Sequence, residues 1–121
     1  MYVLDSDVII DVAHNASRVQ TVMKLIGDAP AGTTSVSMHE VLVGVPVRLK
    51  KVYDDLLRGM HILSHDEDAA RSGAKIQQEL KNAQLSSTDA MIAGICLAQE
   101  ATLVTFDKSF KRVRGLRLLE I

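Results

Sequence analysis

The 121-residue chain has no tryptophan, one cysteine and two prolines, and only 3% of its residues are aromatic. A single cysteine excludes an intrachain disulfide, so the fold does not need an oxidising compartment. Cys96 lies in the apolar run from Ala90 to Ala98 and is expected to pack as a small hydrophobe. With so few rings, the core falls to Leu, Ile, Val, Ala and Met. No apolar run is long enough to cross a bilayer. No basic segment precedes an apolar stretch near Met1, so no signal peptide is expected and a cytoplasmic location is the expectation. His14, His39, His61 and His65 lack zinc-ligand spacing and cysteine companions, and are expected to be non-ligands. No P-loop or dinucleotide-binding glycine motif occurs, and no serine sits in a nucleophile-elbow pattern.

Hydrophobic residues make up 47% and charged residues 24%, which fits one soluble domain over residues 1–121. The net charge of −1 neither demands nor excludes a polyanionic partner. Basic residues cluster twice. Arg48, Lys50, Lys51 and Arg58 form one group, read as a solvated helix face. Lys108, Lys111, Arg112, Arg114 and Arg117 form a denser one directly after Asp107, where they are either solvated or placed to hold a phosphate backbone.

Strands and helices alternate along the chain. Tyr2-Val3-Leu4 opens a strand that ends at Asp5, and Arg18 to Ile26 has helical apolar spacing. Gly27, Pro30 and Gly32 break that helix, and Thr33 to Val36 is predicted as a second strand because it is rich in β-branched residues. Ser37 with Glu40, and Ser64 with Glu67, have capping-box spacing, and Ser86 with Asp89 marks a further helix start. Met60 to Leu63, Thr102 to Phe106 and Leu116 to Leu119 complete about five strands. This alternation predicts an α/β fold: a parallel sheet with helices on both faces and all strand C-termini at one edge.

Four acids fall at that edge. Asp5 ends the first strand, Asp107 follows the fourth, and Glu40 and Asp89 lie at helix starts. Singly, each has a bland explanation as a cap or a polar strand end. Together, four carboxylates in one crevice repel: at ~5 Å and an effective dielectric of ~20, each pair costs roughly 3 kcal/mol. A hard divalent cation such as Mg²⁺ or Mn²⁺ relieves that repulsion through oxygen ligands. Two ions ~3.5–4 Å apart would suit phosphodiester hydrolysis, and a single ion needs fewer ligands. Thr105 is either a strand residue or a hydroxyl that orients a carboxylate or the attacking water. Asp7 is placed to cap the first helical turn or to reach a metal through water, and Asp11 is expected at the surface.

Three further readings compete. Asp5-Ser6-Asp7-Val8 satisfies the DxDx(T/V) signature of haloacid-dehalogenase-type phosphatases, with Asp5 as nucleophile and Asp7 as general acid/base. That reading gives Glu40 no role and leaves little room for a cap. A receiver domain needs an Asp at the end of the third strand, where Leu63-Ser64-His65-Asp66 shows a capping pattern instead. A non-catalytic module that binds RNA or protein is the third.

Four segments, in order and at their spacing, carry a family likeness. They are Val3-Leu4-Asp5-Ser6-Asp7-Val8-Ile9-Ile10, Ser37-Met38-His39-Glu40-Val41, Ser87-Thr88-Asp89-Ala90-Met91-Ile92-Ala93 and Leu103-Val104-Thr105-Phe106-Asp107-Lys108-Ser109-Phe110. Over essentially its whole length the chain resembles the PIN-domain family, and within it the small VapC-type toxins of toxin–antitoxin pairs. The resemblance implies a three-layer α/β/α fold around a twisted parallel sheet. It implies Mg²⁺- or Mn²⁺-dependent cleavage of RNA, with Asp5, Glu40, Asp89 and Asp107 matching the metal-binding acids. It also implies a homodimer blocked by a cognate antitoxin protein. Asp7 departs from the pattern, because the family more often has Asn or a small polar residue there.

Overall fold

The computed structural model describes residues 1–14, 17–80 and 85–121. Five strands are named in chain order: β1 (Tyr2–Leu4), β2 (Ala31–Thr34), β3 (His61–Leu63), β4 (Thr102–Thr105) and β5 (Arg117–Glu120). They form one parallel sheet in the order β3-β2-β1-β4-β5. The chain starts in the middle of this sheet and builds outward in both directions. The strand order therefore reverses at β1, the switch point where α/β sheets place a crevice at the carboxyl ends of the central strands. Leu4 pairs with Val104, and Asp5 N–H continues the ladder by donating to Val104 O at 2.9 Å.

Helices cover both faces. On one lie α1 (Ser6–Ala13), α2 (Arg18–Ile26), α3 (Ser35–Val43) and α4 (Lys50–Arg58). They bury Val8, Ile9, Val22, Ile26, Val41 and Tyr53 against Leu4 and Val104 of the sheet. On the other lie α5 (Glu67–Glu79) and α6 (Ser87–Ala98). They bury Ile76, Ala90, Ile92, Ala93 and Cys96 against Val3 and Leu103. Adjacent strand residues thus point to opposite cores, which gives the three predicted layers. Each fully buried aliphatic side chain adds about 1.5–3 kcal/mol. Cys96 packs as expected, and burial pushes its thiol up to about 12.

Three local expectations fail. The second strand runs from Ala31 to Thr34, two residues earlier than Thr33 to Val36. Thr34 caps α3, its Oγ1 accepting from Ser37 N–H at 2.9 Å, so Ser37 is no cap and Glu40 lies past the first turn. Gly32 explains the shift. A Cβ there would lie 2.5 Å from His61 O, so only glycine lets β2 approach β3 this closely. The residue expected to break a helix is instead the middle of a strand. The Ser64–Glu67 box also fails: Asp66 caps α5 by accepting from Ala69 N–H at 3.0 Å. Ser86 does cap α6, accepting from Asp89 N–H at 3.0 Å.

Candidate functional site

Asp5 is the centre of the crevice. It leaves β1 in extended conformation and caps α1, so its side chain is 6% exposed and turned back over the sheet edge. Ser6 N–H donates to Asp5 Oδ1 at 2.8 Å, and Ser37 Oγ donates to the same oxygen at 3.4 Å. Thr105 Oγ1 donates to Asp5 Oδ2 at 2.7 Å and accepts from Asp107 N–H at 3.0 Å. One fully buried threonine thus ties the end of β4 to the acid after β1. Asp107 Oδ1 accepts from Ser109 N–H at 2.9 Å and caps the 3₁₀ segment Lys108–Arg112.

The electrostatics show which acids share this place. Burial raises the Asp5 carboxyl above the usual range and the charge of Asp107 raises it further, against the lowering effect of the Thr105, Ser6 and Ser37 hydrogen bonds. Burial and the charges of Asp5 and Asp89 raise Glu40. Burial and the charges of Asp107 and Asp5 raise Asp89. Asp7 is pushed up to about 6, by burial first and then by Asp5 and Asp107. Asp5 thus acts on Asp7, Glu40 and Asp89, and Asp107 acts on Asp5, Asp7 and Asp89.

Asp7 does not cap α1, since Asp5 holds that position. Its Oδ2 accepts from Phe106 N–H at 3.2 Å, while its Oδ1 is buried without a hydrogen-bond partner. Ser109 Oγ is orphaned in the same way. Buried polar atoms without partners are costly. Asp11 is not a plain surface residue: its side chain is 17% exposed and pairs with Arg18 at 2.6 Å, and Arg18 lies 3.8 Å from the centroid of the Phe106 ring. His39 and Glu40 line one hollow of about 320 Å³ together with Ser35, Val36 and Thr88.

Sequence reasoning missed Ser37. Its role as an Asp5 partner needs α3 to begin at Ser35, and the spacing of Ser37 and Glu40 on one helical face was the available signal.

The four acids offer only oxygen donors, Asp5 and Asp89 are raised by the charge of Asp107, and Asp7 Oδ1 nearby lacks a partner, which fits a hard divalent cation. Among the described residues, no three acidic, histidine or cysteine side chains are gathered closely enough to hold one ion as they stand.

The comparisons with known proteins agree with this architecture. A VapBC2 complex from Rickettsia felis, bound to a promoter DNA fragment, contains a chain that superposes with a TM-score of 0.87 at 21% identity, covering 99% of this chain and 98% of that one. A DNA-bound VapBC from Salmonella typhimurium gives 0.84 at 23% identity, covering 98% and 96%. FitAcB from Neisseria gonorrhoeae gives 0.83 at 20% identity, covering 99% and 97%. At such identities the likeness shows the fold alone. Among proteins of curated function, none matches the sequence significantly. The PIN domain family model matches residues 2–116, and the chain belongs to that family.

Proposed function

We propose that the protein is a Mg²⁺- or Mn²⁺-dependent endoribonuclease, the toxin of a toxin–antitoxin pair. It acts in the cytoplasm as a homodimer and is restrained by a cognate antitoxin. The observation that carries this reading is Asp5: a buried carboxylate, raised by burial and by the charge of Asp107, and held from two sides by hydroxyl groups. Membership of the PIN-domain family supports the chemistry. Pairing with an antitoxin is supported by the similar structures, which include toxin–antitoxin complexes from Klebsiella pneumoniae and Mycobacterium tuberculosis.

Asp5, Glu40, Asp89 and Asp107 would hold the cation. When bound, such an ion polarises a phosphoryl oxygen and acidifies water at neutral pH. The protein's own residues supply the placement. Thr105 and Ser37 fix both oxygens of Asp5, so the carboxylate has one orientation before substrate arrives. Thr105 also holds the backbone of Asp107, which couples the position of the two acids. Asp7, Glu40 and Asp89 are each raised by burial and by neighbouring acids, so each favours its neutral form more than a free carboxyl does. The phosphatase reading is weaker: a covalent role for Asp5 Oδ2 conflicts with its 2.7 Å bond from Thr105, and the family match covers 2–116.

Incubation of single-stranded RNA with the protein, with and without EDTA, tests the proposal. Cleavage that needs Mg²⁺ or Mn²⁺, and that Asp5→Asn and Asp89→Asn abolish, is the expected result. If both variants cut RNA at the parent rate, the site assignment is wrong. If a metal titration shows no binding, the non-catalytic module takes its place.

A further inference from the structure

The charge and shape of the segment after Asp107 point to a second surface. From Lys108 to Leu119 the chain carries five cations and no acid. Phe110 and Val113 are anchored in the core, so the segment is pinned while Arg112 and Arg114 face outward and are exposed. Arg112 and Arg114 flank a hollow of about 350 Å³ whose floor is Ile76, Leu80 and Val113. A neighbouring hollow of about 370 Å³ shares Ile76, Glu79 and Arg114, and adds Lys75 and Leu97. Together they make one groove along α5, with an apolar floor and cationic walls. Lys75, Arg112 and Arg114 make no ion pair among the described residues, and Glu79, the acid in the groove, pairs with none of them. The other basic cluster differs. Its hollow also holds Asp54 and Asp55, and Lys51 pairs with Asp55 at 2.9 Å.

We infer that this groove holds the phosphate backbone of the RNA beyond the cleavage point, an inference that rests on the nuclease reading for its substrate. The segment Lys108–Arg112 is 3₁₀, which rises ~2 Å per residue, so Arg112 lies on the order of 10 Å past Asp107. At ~3.4 Å per nucleotide of a stacked strand, that is roughly three nucleotides. Guanidinium groups pair with phosphate oxygens in a planar, two-bond geometry. Among the described residues that line the groove none is aromatic, so nothing there stacks a base and the groove reads backbone and not sequence.

The test is anisotropy of a labelled single-stranded RNA of about 20 nucleotides, in EDTA, across about 50–200 mM salt. Parent protein, Arg112→Gln/Arg114→Gln, Arg112→Ala/Arg114→Ala and the control Arg48→Ala/Arg58→Ala are compared, with thermal melts to confirm folding. Each lost phosphate contact flattens the log–log salt slope by about 0.7, so both groove variants lose about 1.4 and the control keeps the parent slope. In cleavage assays the groove variants raise KM for the long RNA, leave kcat unchanged, and cut an RNA of about four nucleotides as the parent does. An unchanged slope in folded Gln and Ala variants overturns the inference and leaves the groove to an acidic protein partner. An equal loss in the control overturns it too, as a general charge effect. If the slope falls as expected but the parent never cleaves RNA, the groove stands and the nuclease reading fails.

Discussion

Thr105 Oγ1 and Asp5 Oδ2 meet at 2.7 Å although 100 residues separate them in the chain. The bond crosses from β4 to the end of β1, is fully buried on the Thr105 side, and sets the direction of the acid at the centre of the crevice. Thr105→Val keeps the shape and removes the donor. Loss of a hydrogen bond to a buried charged group costs about 1.5–3 kcal/mol. Urea denaturation at about pH 7 should show a loss of this size, and Thr105→Ser should recover much of it. A neutral Thr105→Val would mean that Asp5 is held by other groups.

Asp7 gives the pH dependence. Its folded pKa of about 6 lies above the ordinary 3.8, so the folded chain keeps this proton where the unfolded chain releases it. The stabilisation from this group is fully present below the unfolded value and is lost as pH rises through about 6. Asp5, Glu40 and Asp89 are raised too and act in the same direction. The metal-free protein should therefore melt lower at about pH 8 than at about pH 5, and Asp7→Asn should narrow that difference. Asn keeps the acceptor for Phe106 N–H, so the variant tests charge and not geometry. Melting curves in EDTA at both pH values decide it; an equal pH response in both proteins would contradict the assignment.

Much of the placement of these acids along the fold was legible in the chain. Asp5 and Asp107 follow hydrophobic strands closely, so the parallel-sheet rule places them at one edge before any coordinates exist. Ser86 and Asp89 have local capping spacing that the fold keeps. Glu40 was placed one turn wrongly, because β-branched Thr33, Thr34 and Val36 favour a strand, while the strand itself is set by the approach of Gly32 to β3. That approach is a tertiary fact with no local signal. The partnership of Ser37 with Asp5 and the orphaned Oδ1 of Asp7 were hidden for the same reason.

The helices under Asp89 depend on a close crossing. A Cβ on Gly94 would lie 2.5 Å from Ala69 O and 2.7 Å from Gly73 N, all backbone atoms that cannot rotate away. Gly94→Ala must push α6 off α5. Overpacking of this kind costs about 1–3 kcal/mol, and chemical denaturation should show it. Gly44→Ala is the control, since nothing lies within 4 Å of its Cβ position. Equal stability of both variants would show that the two helices separate freely.

A cation that neutralises the crevice should stabilise the fold. At a concentration 100 times its dissociation constant, a ligand of the folded state adds about 2.7 kcal/mol. Mn²⁺ should raise the melting temperature of the parent protein and restore what high pH removes. Asp5→Asn should melt at or above the parent in EDTA and respond weakly to Mn²⁺. A parent protein indifferent to Mn²⁺ would leave the repulsion among the acids without its proposed remedy.

The most direct measurement is anomalous scattering from crystals grown with Mn²⁺. The account predicts a manganese peak in the crevice, with oxygens of Asp5 and at least two of Glu40, Asp89 and Asp107 as ligands, and no such peak in Asp5→Asn crystals. A fully occupied manganese bound elsewhere, with these four carboxylates left apart, would contradict it.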